Sequence, residues 1–141
     1  MLFRSSAIFA TTGNPDCHVI LRGGRNSVNY TAEAVAATCG KLEKAGLKLN
    51  VMIDCSHANS NKDHTRQGAV CRNVASQIAA GDRRIIGVML ESNLVAGAQK
   101  LVSGRPLTHG QSITDACLGW DETVGLLHEL ADAVRVGRPR S

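Results

Sequence analysis

The feature that most constrains the fold is a short apolar segment that ends in a dense group of polar residues. Val51, Met52 and Ile53 form the apolar run, which is typical of a buried strand. Polar and ionisable side chains follow at once, from Asp54 to Ser60, and helical periodicity begins a few residues later. A buried strand that leads through a polar loop into a helix is typical of a parallel α/β barrel, which carries its functional residues at the carboxyl ends of its strands.

The same strand-then-helix pattern occurs three times along the chain. Predicted strands cover residues 17–22, 50–53 and 84–90, and predicted helices run over about 31–45, 63–80 and 121–136. Successive βα units of this kind form parallel sheets. Residues 6–11 are predicted to supply part of a further strand, and residues 93–119 are predicted to form a long loop.

Each predicted helix has one apolar face that we expect to pack against the sheet, because apolar residues recur in it at helical spacing. The residues of these faces are Val35, Cys39 and Leu42 in the first helix, Val70, Val74 and Ile78 in the second, and Val124, Leu127, Leu130, Ala131 and Val134 in the third.

The chain is too short for a complete barrel of this type. A (β/α)₈ barrel typically needs about 250 residues, whereas this sequence has 141. An open doubly wound sheet of this size would use about five strands, more than the pattern provides. We therefore expect an α/β fold in which residues 1–141 form one fragment of a barrel domain, the C-terminal part of a TIM (β/α)₈ barrel with about three βα units.

Composition excludes several classes of protein. The net charge of +4 and the aromatic content of 3% do not provide the basic stripe with aromatic partners that nucleic-acid binding requires. The sequence has no apolar run of membrane-spanning length, and Arg4 interrupts the apolar residues at the start, so we predict a cytoplasmic protein. Its odd number of cysteines indicates reduced thiols that mostly lie in the core. They are Cys17, Cys39, Cys55, Cys71 and Cys117.

Each predicted strand is followed by ionisable groups that a barrel would bring to one rim. Arg22 ends the first strand, Asp54 and His57 follow the second, Glu91 follows the third, and Asp115 lies in the long loop. One imidazole and two carboxylates suit a divalent first-row metal, so His57, Glu91 and Asp115 are candidate ligands. Each also has an ordinary alternative role, such as a capping histidine or a salt-bridged glutamate.

Arg22 is followed by two glycines, Gly23 and Gly24. Together they could bind a phosphate group, because an arginine binds phosphate bidentately and glycines permit a close backbone approach. They could also form only a turn. Cys55 and Cys117 lie beside candidate site residues, and we interpret them as small buried thiols. The remaining histidines are predicted to be surface or hydrogen-bonded residues. They are His18, His64, His109 and His128.

Four segments of the chain, in this order, closely resemble the class I 3-deoxy-D-arabino-heptulosonate 7-phosphate (DAHP) synthases. The segments are Leu21-Arg-Gly-Gly24, Met52-Ile-Asp-Cys-Ser-His-Ala-Asn-Ser60, Ile86-Gly-Val-Met-Leu-Glu-Ser92 and Ser112-Ile-Thr-Asp-Ala-Cys-Leu-Gly-Trp120. The resemblance implies a metal-dependent barrel enzyme that condenses phosphoenolpyruvate with erythrose 4-phosphate and releases phosphate. This reaction is the first step of the shikimate pathway, which leads to chorismate and the aromatic amino acids.

The resemblance also implies roles for individual residues. His57, Glu91 and Asp115 match metal ligands, and the metal would be manganese, iron or cobalt. Arg22 matches an arginine that binds phosphoenolpyruvate, and His57 is expected to act in catalysis and substrate binding as well. The full-length enzyme is expected to be a homo-oligomer.

The chain departs from the family pattern in its missing parts. A further metal ligand, a cysteine, and the Lys-Pro-Arg-Thr-type segment that binds erythrose 4-phosphate belong to the other half of the family's barrel. We therefore expect the isolated fragment to be inactive. Two alternatives remain open, a non-catalytic remnant or assembly subunit of such an enzyme, and another metal-dependent aldolase on the same fold.

Overall fold

A three-stranded parallel sheet lies at the centre of the structure, a computed structural model that describes residues 8–25 and 27–138. The strands are β1 (Val19–Leu21), β2 (Val51–Asp54) and β3 (Ile85–Met89), arranged in the order β1-β2-β3. Helix α1 (Ala32–Lys44) connects β1 to β2, α2 (Gln67–Ala79) connects β2 to β3, and α3 (Trp120–Gly137) follows. The predicted α/β fold with three βα units is confirmed.

Strand pairing brings the polar strand ends to one edge of the sheet. Leu21 pairs with Ile53, and Asp54 pairs with Met89. Because all three strands are parallel, the residues that follow them leave the sheet on the same side. Arg22 comes directly after β1, and Glu91 lies two residues beyond β3, so both start near the level of Asp54.

The helices form and end largely as their sequences predict. Thr31 caps α1, because its side-chain oxygen accepts a hydrogen bond from the backbone nitrogen of Ala34 at 3.3 Å, and Gly46 follows the helix in the left-handed region at φ +66°. The second helix differs from the prediction at its start. Asp63 caps a short 3₁₀ turn, His64–Arg66, and the α-helix begins only at Gln67.

The predicted apolar faces are confirmed for two helices and only in part for the third, of whose predicted face Leu130 is half-buried against the core. In α1 and α2 the expected residues are buried, except that Leu42 is half-buried. In α3 the buried residues are instead Thr123, Leu126 and Ala133, whereas Leu127 is 51% exposed. Apolar residues occupy two neighbouring stripes along this helix. Helical spacing predicted one stripe as the buried face, whereas the packing of α3 against α2 buries mainly the other.

Residues 93–119 are not entirely the long loop that the sequence predicts. They contain two short strands, β4 (Val95–Ala98) and β5 (Gln111–Ser112), which form a separate two-stranded parallel sheet. The side chain of Gln99 closes the segment between them, because its amide nitrogen donates to the backbone oxygens of Thr108 and Gln111. Strands this short leave no clear alternation in the sequence. Residues 8–11 form no strand, and residues 6 and 7 lie outside the described residues.

The cysteines largely occupy the positions predicted for them. Cys39, Cys55 and Cys71 are buried, Cys117 is half-buried and Cys17 is exposed, and all five are free thiols. Contact with the Cys71 thiol, followed by burial, raises the pKa of Cys55, so this thiol stays protonated. None of the helices in the described residues combines the length and the apolar character needed to cross a bilayer.

Candidate active site

Four of the strand-end side chains form one continuous chain of contacts. The Nε atom of Arg22 lies 3.7 Å from Oδ2 of Asp54, and the same oxygen lies 2.8 Å from Nδ1 of His57. On the other side of the imidazole ring, Nε2 of His57 lies 3.6 Å from Oε1 of Glu91. The structure therefore brings together three of the predicted site residues, Arg22, His57 and Glu91, around the 2% exposed carboxylate of Asp54.

His57 is oriented by the turn that follows β2 and by Asp54. Its backbone lies in the left-handed region at φ +49°, which is uncommon for a residue with a side chain. Nδ1 is buried and makes no hydrogen bond of favourable geometry, although it lies 2.8 Å from Oδ2 of Asp54. With Nδ1 directed to a carboxylate, Nε2 is the ring nitrogen that faces Glu91.

Glu91 is held by two side chains from the β2–α2 region. Ser56 Oγ donates to Oε2 of Glu91 at 2.7 Å. The fully buried side chain of Gln67 pairs with the Glu91 backbone, accepting from its nitrogen at 2.9 Å and donating to its oxygen at 3.3 Å. These contacts leave Oε1 as the carboxylate oxygen directed towards His57.

The Asn59 side chain links the carboxyl ends of β1 and β2 through hydrogen bonds. Its amide nitrogen donates to the backbone oxygens of Leu21 at 2.9 Å and Asp54 at 2.8 Å. Its side-chain oxygen accepts from the backbone nitrogen of Asn29 at 2.8 Å, and the Asn29 side chain in turn accepts from the Gly23 nitrogen at 2.7 Å. Because Asn59 is 2% exposed, this network keeps Arg22 and His57 at a set separation.

Gly23 lies where the two loops touch, and no other residue fits there. Its φ is +79°, and a Cβ atom at this position would lie 2.7 Å from the Cβ of Ala58 and 2.9 Å from the backbone nitrogen of Asn59. The structure therefore gives the first glycine after Arg22 a turn and close-packing role, one of the two interpretations that the sequence left open.

Two adjacent cavities open at this edge of the sheet. The smaller, about 300 Å³, is lined by all four predicted site residues and also by Lys62 and His64. The larger, about 850 Å³, shares Arg22, His57 and Lys62 with it and is also lined by Arg25. The predicted site residues in the smaller cavity are Arg22, His57, Glu91 and Asp115.

The proposed metal ligands are only partly assembled. Within residues 8–25 and 27–138, no three His, Cys, Asp or Glu side chains are grouped closely enough to hold an ion. His57 and Glu91 are adjacent, whereas Asp115 is an exposed loop residue that faces the same cavity. The donor chemistry nevertheless fits a divalent first-row metal, and a carboxylate behind the imidazole, here Asp54, is the usual support of a metal-binding histidine.

Sequence reasoning missed several residues of this site. Ser56 and Asn59 were visible only as members of the polar run after β2, without a partner. Gln67 gave no signal, because a glutamine at a helix start is ordinary. His64, predicted to be a surface or hydrogen-bonded histidine, lines the smaller cavity together with Lys62. Its place in the cavity follows from the path of the turn over residues 57–62, which the sequence did not predict.

The comparisons with known proteins show which family the chain is similar to. The model of the DAHP synthetase I family matches residues 2–128. The Phe-sensitive phospho-2-dehydro-3-deoxyheptonate aldolase of Escherichia coli K12 is 56% identical over 133 residues, covering 94% of this chain and 38% of the relative. The corresponding aldolase of Haemophilus influenzae is 54% identical over 132 residues, covering 94% and 36%.

A solved structure supports the same relationship. The phospho-2-dehydro-3-deoxyheptonate aldolase of Francisella tularensis superposes with a TM-score of 0.86 at 52% sequence identity, covering 94% of this chain and 38% of that one. The chain thus spans little more than a third of the length of the relatives that it matches. Since the family model covers most of the sequence, the chain belongs to the DAHP synthetase I family.

Proposed function

We propose that residues 1–141 form the C-terminal three βα units of a TIM-barrel DAHP synthase, and that they carry part of its active site. The enzyme would condense phosphoenolpyruvate with erythrose 4-phosphate and release phosphate, the first step of the shikimate pathway. The observation that carries this proposal is the convergence of Arg22, His57, Glu91 and Asp115 on one cavity at the carboxyl edge of the sheet. Catalytic groups of TIM-barrel enzymes lie at this edge.

His57 and Glu91 are the residues that would hold a divalent metal, with Asp115 reaching the same cavity from its loop. Manganese, iron or cobalt fits a set of one imidazole and two carboxylates. When bound, such an ion supplies Lewis-acid polarisation of a carbonyl oxygen. Asp54 contributes by holding the His57 ring so that Nε2 stays directed at the cavity.

Arg22 would bind the anionic groups of phosphoenolpyruvate. Its Nε atom lies 3.7 Å from Asp54, and 58% of the side chain is exposed, so the guanidinium group remains accessible to a ligand. A guanidinium can pair with a carboxylate or phosphate through two parallel hydrogen bonds. Asp54 would therefore orient both the phosphoenolpyruvate-binding arginine and the catalytic histidine, and much of the catalytic effect would come from this positioning.

The same proposal extends to assembly and location. We infer a homo-oligomeric full-length enzyme in the cytoplasm that binds neither nucleic acid nor membrane.

A chimera provides the test. The 141-residue chain is joined in register behind the N-terminal part of the Escherichia coli Phe-sensitive relative, and phosphate release from the two substrates is measured. We expect turnover in the chimera and its loss in Glu91→Gln, while Glu43→Gln, an exposed residue of α1, serves as the matched control. A folded chimera that keeps its turnover with Glu91→Gln would contradict the site. Substrate binding without turnover would favour a non-catalytic remnant, and turnover with a different acceptor would favour another aldolase.

A further inference from the structure

We propose that Lys62 binds the phosphate monoester group of a substrate in the larger cavity, together with Arg25. The identity of the substrates rests on the proposed function, but the anion site itself rests on the charges and the shape of the two cavities. Neither the sequence pattern nor the chain of contacts around Asp54 assigns these two cations a role.

The two cavities differ in the charge of their walls. The smaller one contains both proposed carboxylate ligands, Glu91 and Asp115. The larger one is lined by Arg22, Arg25 and Lys62 and by no carboxylate. A ligand with a dianionic phosphate at one end and a carbonyl or carboxylate at the other would therefore lie with its phosphate in the larger cavity and its reacting end near Glu91.

Lys62 occupies the boundary between the two cavities. Among the residues that the structure describes, only Arg22, His57 and Lys62 line both of them. Arg22 is already close to Asp54, so part of its charge is balanced by a buried carboxylate. A phosphate dianion needs more positive charge than this arginine supplies, and Lys62 is the shared cation without such a neighbour among the ion pairs of the described residues.

The backbone at Lys62 gives a second reason to assign its side chain a role. Asn61 and Lys62 both lie in the left-handed region, at φ +55° and +60°, and the Lys62 nitrogen donates to the His57 oxygen at 2.7 Å. Asparagine and glycine adopt this conformation more readily than lysine. The turn alone therefore does not favour a lysine here, whereas a role for its cation at the boundary of the two cavities would.

The first experiment titrates the 141-residue chain with inorganic phosphate, phosphoenolpyruvate and erythrose 4-phosphate in turn, followed by ³¹P NMR and calorimetry. Lys62→Asn removes the charge with a residue that tolerates the left-handed backbone, and we expect it to weaken phosphate binding by about fivefold or more, since a charged hydrogen bond is lost. Lys62→Arg should stay within about twofold of wild type because it keeps a cation. Lys100→Asn, an exposed lysine that lines neither cavity, should leave binding unchanged.

The three ligands separate the sources of the phosphate. A loss restricted to phosphoenolpyruvate or to erythrose 4-phosphate identifies which substrate uses Lys62, and either result supports the proposal. Equal affinity of wild type and Lys62→Asn for all three ligands, or no phosphate binding by the wild type, would overturn it.

If the isolated chain does not stay in solution, wild type and Lys62→Asn are compared in the chimera instead. The measured quantity is then the Michaelis constant for each substrate. Lys62-dependent phosphate binding without turnover in the chimera would contradict only the proposed function. Turnover with both Michaelis constants insensitive to Lys62→Asn would contradict only the anion site.

Discussion

Ser56 Oγ donates a hydrogen bond of 2.7 Å to Oε2 of Glu91, a residue 35 positions away in the sequence. The backbone nitrogen of Ser56 also donates to Oδ1 of Asp54 at 2.8 Å. One buried serine therefore connects the carboxylate that supports His57 with the carboxylate that faces its Nε2 atom. Ser56 thus links the supports of the two proposed metal ligands, His57 and Glu91.

Removing the Ser56 hydroxyl should weaken metal binding without removing a ligand. For Ser56→Ala we expect about a 10-fold loss of manganese affinity, since partners that orient metal ligands typically contribute 10- to 100-fold. Calorimetric titration of the 141-residue chain measures it. Ser76→Ala is the matched control, because Ser76 is an exposed serine that bonds only the backbone of its own helix. Equal affinities in wild type and Ser56→Ala would show that Glu91 does not depend on this bond.

Removing the His57 imidazole should have a larger effect. We expect His57→Ala to weaken manganese binding by 10-fold or more, on the order of 1.4 kcal/mol or above, because one nitrogen donor is lost. His128→Ala, at an exposed position of α3, should bind as wild type does. Affinity that is unchanged in His57→Ala would mean that the ion binds elsewhere on the chain.

The Asn59 network should contribute to stability as well as to positioning. Asn59→Ala leaves two buried backbone oxygens and one backbone nitrogen without their partner. We expect the free energy of unfolding to fall by about 3 kcal/mol, since each unsatisfied buried group costs about 1–3 kcal/mol. Urea denaturation followed by circular dichroism measures this. Asn73→Ala, at an exposed position of α2, should change stability by less than about 0.5 kcal/mol, and a similar loss in both variants would contradict the network's role.

The pair Asp82 and Arg84 should make stability depend on pH. Hydrogen bonds from the Arg84 side chain, at 2.7 and 2.9 Å, lower the pKa of Asp82 below its ordinary value of 3.8. Because the folded state favours the ionised form, the stabilisation is present above pH 3.8 and is lost as the pH falls through the lowered pKa. Asp82→Asn should therefore reduce the free energy of unfolding at pH 7 by about 1.5 kcal/mol.

Urea denaturation at pH 7 and at lower pH tests this prediction. The difference between wild type and Asp82→Asn should shrink as the pH falls below 3.8. Asp16→Asn is the control, because Asp16 pairs with Lys48 on the surface and such pairs contribute little. A difference that stays constant over this pH range would mean that ionisation of Asp82 does not stabilise the fold.

Local patterns in the sequence determined the three strands and the buried faces of α1 and α2. Runs of apolar residues and helical spacing act over a few residues, so Val35 in α1 and Val74 in α2 could be placed in the core without a structure. The choice between Leu126 and Leu127 in α3 could not be made in this way. Both are apolar, and only the packing of α3 against α2 decides which stripe is buried.

The sequence by itself also determined the chemistry of the candidate site. Arg22, His57 and Glu91 stood out because they lie at the ends of predicted buried strands, and Asp115 was added from the long predicted loop. The neighbours of all four carry the family resemblance. The tertiary structure alone decided how these groups are held. Ser56 and Gln67 form hydrogen bonds with Glu91, which is distant from both in the sequence. Lys62 lines both cavities from a left-handed turn. Such contacts depend on the direction of each side chain in the folded chain, which residue types and their spacing do not specify.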